Sequence, residues 1–205
     1  MTYQTAANAE TPSPRILRRQ ERTRQTILQA ATTRFIEKNI ATVSVEEIIE
    51  AADISRGTFY KLFKHKEDVF TQIAQPMMES YSSRLAAINS TNPWETFDQI
   101  IDVYIQIWRE YPEAFSLASR ESQSVFHLLE EAHRPVMKHM RRLFDLIEPH
   151  GILRARKAEY SIALMARSAL IILRTFDHDP DWERLFRESM HGFLLTDQLP
   201  QNQLQ

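Results

Sequence analysis

The chain has 205 residues, a net charge of −2, 43% hydrophobic and 25% charged residues, a balance ordinary for a globular protein, for which disorder is not the default, and fitting one large or two small domains. Cysteine is absent, which excludes disulfides and thiolate metal sites and agrees with a reducing cytosol. Only three glycines, with segments rich in Ala, Leu, Ile, Glu, Gln and Arg at helical spacing, give strands little support and predict an all-α fold.

The N-terminus, Met1 to Pro14, is polar and lacks the apolar centre of a secretory signal, so residues 1–17 are expected to be a flexible tail. Ile27, Leu28, Ala31 and Phe35 then recur at helical spacing, which predicts a first helix over Arg18 to Lys38 with Asn39 as a left-handed stop. Ser44 with Glu47 three residues on is a capping box, so a second helix is expected from Val45 to Ala52. Asp53 and Ile54 turn the chain, and Ser55 can cap a third helix, Arg56 to Phe63. Two short helices joined by three or four residues and preceded by a longer packing helix make a helix-turn-helix candidate.

On the third helix the 100° step puts Phe59, Leu62 and Phe63 on one side and Gly57 and Lys61 on the other, flanked by Arg56, Tyr60 and Thr58. The inner side is core. The outer side offers a bare backbone, hydroxyls and cations, followed by Lys64, His65 and Lys66, and suits a surface that must approach a polyanion closely. A glycine in a first helical turn is also cheap on its own account, and lysines also serve as a solvated face. Charge supports the nucleic-acid reading: residues 1–66 hold eleven Lys or Arg against seven Asp or Glu, whereas residues 67–205 hold fourteen against twenty.

A fourth helix is expected over Lys66 to Ile88, kinked near Pro76. Asn92 as cap, Pro93 at the first position and Glu95 three past the cap open a fifth, to Glu110. Further helices are expected over Pro112 to Arg120, Ser122 to Ile147 broken by Pro135, Lys157 to Phe176, and Trp182 to Leu195, the last announced by Asp179 and Pro180. The most apolar run, Ser161 to Phe176, is interrupted by Arg167 and Arg174, so no membrane span is expected and the cytoplasm is the expected location.

The stretch "TILQAATTRFIEKNIATVSVEEIIEAADISRGTFYKLFKHKEDVF", Thr26 to Phe70, resembles the N-terminal domain of the TetR family of transcriptional regulators. The family commonly has glycine where this chain has Asn39 and Asp53, two residues that also tolerate left-handed backbone. The resemblance implies DNA contacts by Ser44, by Arg56, Gly57, Thr58, Tyr60 and Lys61 on the recognition helix, and by Lys66 at the start of helix four. Arg15, Arg18, Arg19 and Arg22 are expected either as a basic arm over the DNA or as solvated charge.

The resemblance also implies a helix-turn-helix domain over residues 18–80 and a helical effector-binding and dimerisation domain over residues 81–205. Its last two helices would pair with those of a second copy, placing two recognition helices about 34 Å apart on a palindromic double-stranded operator. Tyr104, Trp108, Phe115, Phe126, Met137 and Arg167 are candidates for a small-molecule effector pocket, although aromatic and Met residues at this spacing also serve as plain core, and Arg167 with Arg174 also suits interface salt bridges. His127, Glu130, Glu131 and His133 read as a solvated face in preference to a metal site. Nothing resembles a phosphate-binding glycine loop or an activated nucleophile, so no cofactor and no enzymatic activity are expected. A ligand-responsive repressor is the leading reading; a DNA-binding protein controlled by a protein partner and a small helical enzyme or carrier are the alternatives.

Overall fold

The computed structural model describes residues 13–120 and 127–196. Nine α-helices are found among the described residues: α1 Pro14–Lys38, α2 Val45–Ala51, α3 Arg56–Leu62, α4 Lys66–Ala87, α5 Pro93–Glu110, α6 Pro112–Arg120, α7 Glu130–Ile147, α8 Ala158–Phe176 and α9 Trp182–Leu194. Single 3-10 turns at His127–Leu129 and Glu148–His150 flank α7. The one β feature among the described residues is an isolated antiparallel bridge between Leu153 and Leu195, which ends α9 one residue before the expected Leu195.

Helix starts follow their caps. Ser44 and Glu47 form the reciprocal capping box, Ser55 accepts from the Thr58 amide, and Asn92 accepts from the amides of Trp94 and Glu95. Asn39 (φ 116°) and Asp53 (φ 50°) both lie at positive φ, which explains how they stand where glycine is usual in the family the sequence resembles.

Several helix ends differ from expectation by one residue, and two differences are larger. Helix α1 begins at Pro14, four residues before Arg18, because a proline at the first helical position lacks only an amide that would have gone unbonded there. Arg15, Arg18, Arg19 and Arg22 therefore stand on a helix and not on an extended arm. Helix α7 runs unbroken through Pro135, which sits in its second turn and faces solvent, so the Glu131 carbonyl that loses its helical donor is open to water. The expected helix start at Ser122 lies outside the described residues.

One apolar core joins all nine helices, from Ile27, Phe35 and Phe59 through Phe70, Phe97 and Phe144 to Phe186 and Met190. Its buried serine and threonine hydroxyls are satisfied locally: Thr32 donates to the Leu28 carbonyl, Thr96 to that of Ser90 and Ser161 to that of Lys157. Helix α4 is the shared member, packing on α1 at one end and on α5, α6 and α7 at the other. Cations hold both of its ends. Lys66 Nζ donates to the carbonyls of Ala41 (3.0 Å) and Val43 (2.7 Å), and Arg142 of α7 donates at 3.0 Å to the carbonyls of Leu85 and Ile88. Between them lies Pro76, inside the helix and unable to donate to the carbonyl of Gln72.

Candidate nucleic-acid interface and adjoining cavity

Helix α3 is only seven residues long, and an isolated helix of that length does not persist in water. It is held by Phe59 and Phe63, which are buried with their ring centroids 5.8 Å apart, and by Ser55, whose Oγ takes the Thr58 amide at 3.2 Å and lies 2.8 Å from Thr58 Oγ1. The inner face is therefore fixed, and the outer face carries Arg56, Gly57, Tyr60 and Lys61, all exposed, with Thr58 half-buried at its edge. A Cβ built on Gly57 would meet nothing nearer than Ser55 Oγ at 4.0 Å. Neither backbone conformation nor internal crowding requires a glycine there.

Arg56 is held in place by two weak contacts: its guanidinium pairs with Glu46 at 3.0 Å and lies 5.7 Å from the centre of the Tyr60 ring. Both partners of the ion pair are well exposed, so the pair is readily exchanged for a stronger anion. Tyr60 leans edge-on against Phe59, with centroids 5.3 Å apart.

Ser44 and Lys66 have work inside the fold as well. The Ser44 amide and hydroxyl both donate to Glu47 Oε2, at 2.8 and 3.1 Å, and Ser44 Oγ accepts from the Glu47 amide. Hydrogen bonding from Lys38, and then from Ser44, holds the Glu47 carboxyl down at about 2, so the box stays ionised at neutral pH. Lys66 is half-buried and binds the α1–α2 connection through the carbonyls of Ala41 and Val43. Sequence spacing gives no sign of this tie, which joins positions 23 and 25 residues apart. His65, which spacing does not mark as a cap, opens α4: its Nδ1 accepts from the Asp68 amide at 3.3 Å, while Asp68 accepts from the Lys64 amide at 2.9 Å.

A cavity of about 750 Å³ lies among α4, α5, α6, α7 and α8. Its deep side is made of Met77, Met78 and Tyr81 of α4, Tyr104 of α5 and Phe115 of α6, all buried, and its outer side of exposed Met137, Arg141, Glu159, Arg167 and Ile171. Four of the seven methionines in the chain line it: Met77, Met78, Met137 and Met140. Tyr104, Phe115, Met137 and Arg167, singled out from the sequence, are thus brought to one cavity. Trp108 is not on its wall; the indole stands behind Phe115 at a centroid distance of 6.0 Å and donates to Asp177 at 3.1 Å. Phe126 lies outside the described residues. Burial pushes Tyr104 up to about 12 and raises Tyr81, while it lowers His133, so the inner wall is uncharged at neutral pH.

A stripe on α8 is exposed and apolar: Tyr160 (57% exposed), Leu164 (38%) and Ile171 (68%), with Arg167 and Arg174 along its edge. Phe193 of the neighbouring α9 is 44% exposed. Side chains of this kind at helical spacing are a face without a partner inside the monomer. Among the described residues no three His, Asp or Glu side chains converge as metal ligands, and no helix is long and apolar enough to cross a membrane.

Residues 27–73 match the family described as bacterial regulatory proteins, tetR family. The chain is similar to the uncharacterized HTH-type transcriptional regulator YhgD of Bacillus subtilis (strain 168), 21% identical over 180 residues, which cover 82% of this chain and 90% of that one. Among solved structures it is similar to NalD, the secondary repressor of the MexAB-OprM multidrug efflux pump in Pseudomonas aeruginosa, with a TM-score of 0.58 and 23% identity over 88% of this chain and all of that one. It is also similar to SmeT in its triclosan complex, with a TM-score of 0.57 and 20% identity over 85% and 92% of the two chains.

Proposed function

We propose, for a chain that belongs to the tetR family of bacterial regulatory proteins, a homodimeric repressor whose hold on a palindromic operator is released by a hydrophobic effector in the α4–α8 cavity. The observation that carries the DNA half is Gly57: an exposed, space-rich glycine on the outer face of α3, between Arg56, Thr58, Tyr60 and Lys61, brings bare backbone to whatever that face meets. Short and polar side chains near the start of a helix meet base edges, and the cations beside them hold phosphates. The division of labour follows the chain, with a DNA-binding unit to about residue 80 and an effector and dimer unit beyond it.

Helix α4 links the two units. Its first turn carries Lys66 beside α3, and its second half supplies Met77, Met78 and Tyr81 to the cavity wall. An effector that fits the cavity only when this wall moves favours an α4 position that misplaces the recognition helix, and a differential affinity of about 1–3 kcal/mol shifts operator binding by one to two decades. The similarity to a triclosan-binding neighbour and to an efflux-pump repressor agrees with an apolar effector. The cavity also weighs against control by a protein partner alone, which would need no such space.

The α8 stripe and Phe193 supply the dimer face, with a second copy of the same surface as its complement. Fragments of the source genome selected on the purified protein test the reading as a whole. We expect enrichment of a palindromic site whose log affinity falls steeply with log salt, by about 0.9 per phosphate neutralised. No preference over bulk competitor DNA at moderate ionic strength would refute it.

Lys66→Ala separates two parts of the interface. Removing the ammonium leaves the carbonyls of Ala41 and Val43 without their donor, so stability should fall by about 1–2 kcal/mol. Affinity should weaken by a common factor on cognate and unrelated DNA, read by fluorescence anisotropy across a salt series. A variant with unchanged affinity would remove Lys66 from the interface.

A further inference from the structure

The deep end of the cavity holds two buried hydroxyls with at least one proton too many. Tyr81 of α4 and Tyr104 of α5 are both buried, at 7% and 4% exposure, and their rings meet edge to face with centroids 5.4 Å apart. Each hydroxyl acts on the other's ionisation, and neither makes a hydrogen bond to any other described residue. Two hydroxyls bring two O–H donors and can satisfy at most one of them between themselves, so at least one proton is left over. A buried donor without an acceptor is costly, and both tyrosines line the cavity.

We propose that the cavity takes hydrophobic molecules bearing a neutral oxygen acceptor, a carbonyl, ether or hydroxyl, and that this oxygen receives the surplus proton of the Tyr81–Tyr104 pair. The inference rests on the effector reading of the cavity given above. An anionic oxygen does not suit this end, because both cations of the lining, Arg141 and Arg167, are exposed on the outer side and Arg141 already pairs with Asp145 at 2.8 Å. Both phenols keep their protons, since burial drives Tyr104 up to about 12 and raises Tyr81, so the donor persists across neutral pH. The rest of the molecule meets Phe115 and four methionines, whose flexible thioethers adapt to rings of different shape.

Benzophenone and diphenylmethane, two probes of nearly equal shape that differ by one carbonyl, test this by calorimetry on the whole protein. The affinity ratio of benzophenone to diphenylmethane should be five- to tenfold higher for the wild type than for the Tyr81→Phe/Tyr104→Phe double variant, one hydrogen bond's worth. Each single variant keeps one hydroxyl and should keep most of the preference. As a second readout, the carbonyl stretch of benzophenone bound to the wild type should lie below its frequency in hexane, which needs no variant to fold. An unchanged ratio in the double variant, or an unshifted stretch, overturns the inference while leaving the cavity a binding site. Failure of both probes to bind the wild type overturns it together with the effector reading.

Discussion

Replacing Gly57 by leucine is expected to abolish specific operator binding while leaving the protein folded and, if anything, more stable. The position is helical and exposed, and an added Cβ reaches only Ser55 Oγ, at 4.0 Å, so nothing inside the protein opposes the change. Leucine also outranks glycine in helix propensity by nearly 1 kcal/mol, a gain reduced somewhat in a first turn. The cost falls on the complex. If the α3 backbone lies against base edges there, a clash of about 1–3 kcal/mol, the scale of one mismatched base pair, enters twice in a symmetric dimer and lowers affinity by about 30-fold or more. Gly57→Ala should lose less. Thermal melts and competition binding run side by side decide it: a leucine variant that binds operator at wild-type affinity returns this glycine to the status of a tolerated surface residue.

Leu164→Asp should give a folded monomer that has lost its operator. Leu164 stands in the middle of the exposed α8 stripe and does not line the cavity, so the substitution spares both the core and the cavity. In a two-fold interface the new carboxylates are buried near each other's like charge, and an unpaired buried charge costs about 3–5 kcal/mol. Losing the tether between two recognition helices then removes the effective concentration of the second, worth about two to four decades of affinity. Analytical ultracentrifugation gives the mass directly; a dimer that persists would place the subunit interface elsewhere.

The DNA-binding half was legible because its signals are local. Ser44 with Glu47, and Ser55, are caps whose partners lie three residues away, and Asn39 and Asp53 advertise positive φ by residue type alone. Pro14 after Ser13 was an equally local signal for the start of α1, outweighed by the polar composition around it. What sequence spacing could not carry is any contact between distant segments. Trp108 belongs to an aromatic group by period, yet its indole is claimed by Asp177, 69 residues on. Arg187 and His191 of α9 bind Asp98 of α5, and Arg187 binds Asp102 as well, an acidic and basic seam that no window along the chain reveals. The cavity is the same kind of object. Tyr104, Phe115, Met137 and Arg167 could be suspected one at a time, but Met77, Met78 and Tyr81 enter only because α4 crosses α5 and α7 after Pro76.

Arg167 and Ile171 belong at once to the cavity's outer side and to the exposed face of α8. A second chain seated on that face would lie across the way out. A guest molecule would then leave at the pace at which two chains breathe apart, not at the pace of free diffusion, and its residence time would lengthen with protein concentration. Derepression in such a molecule would outlast the chemical that triggered it, giving each copy a short memory of what it last met.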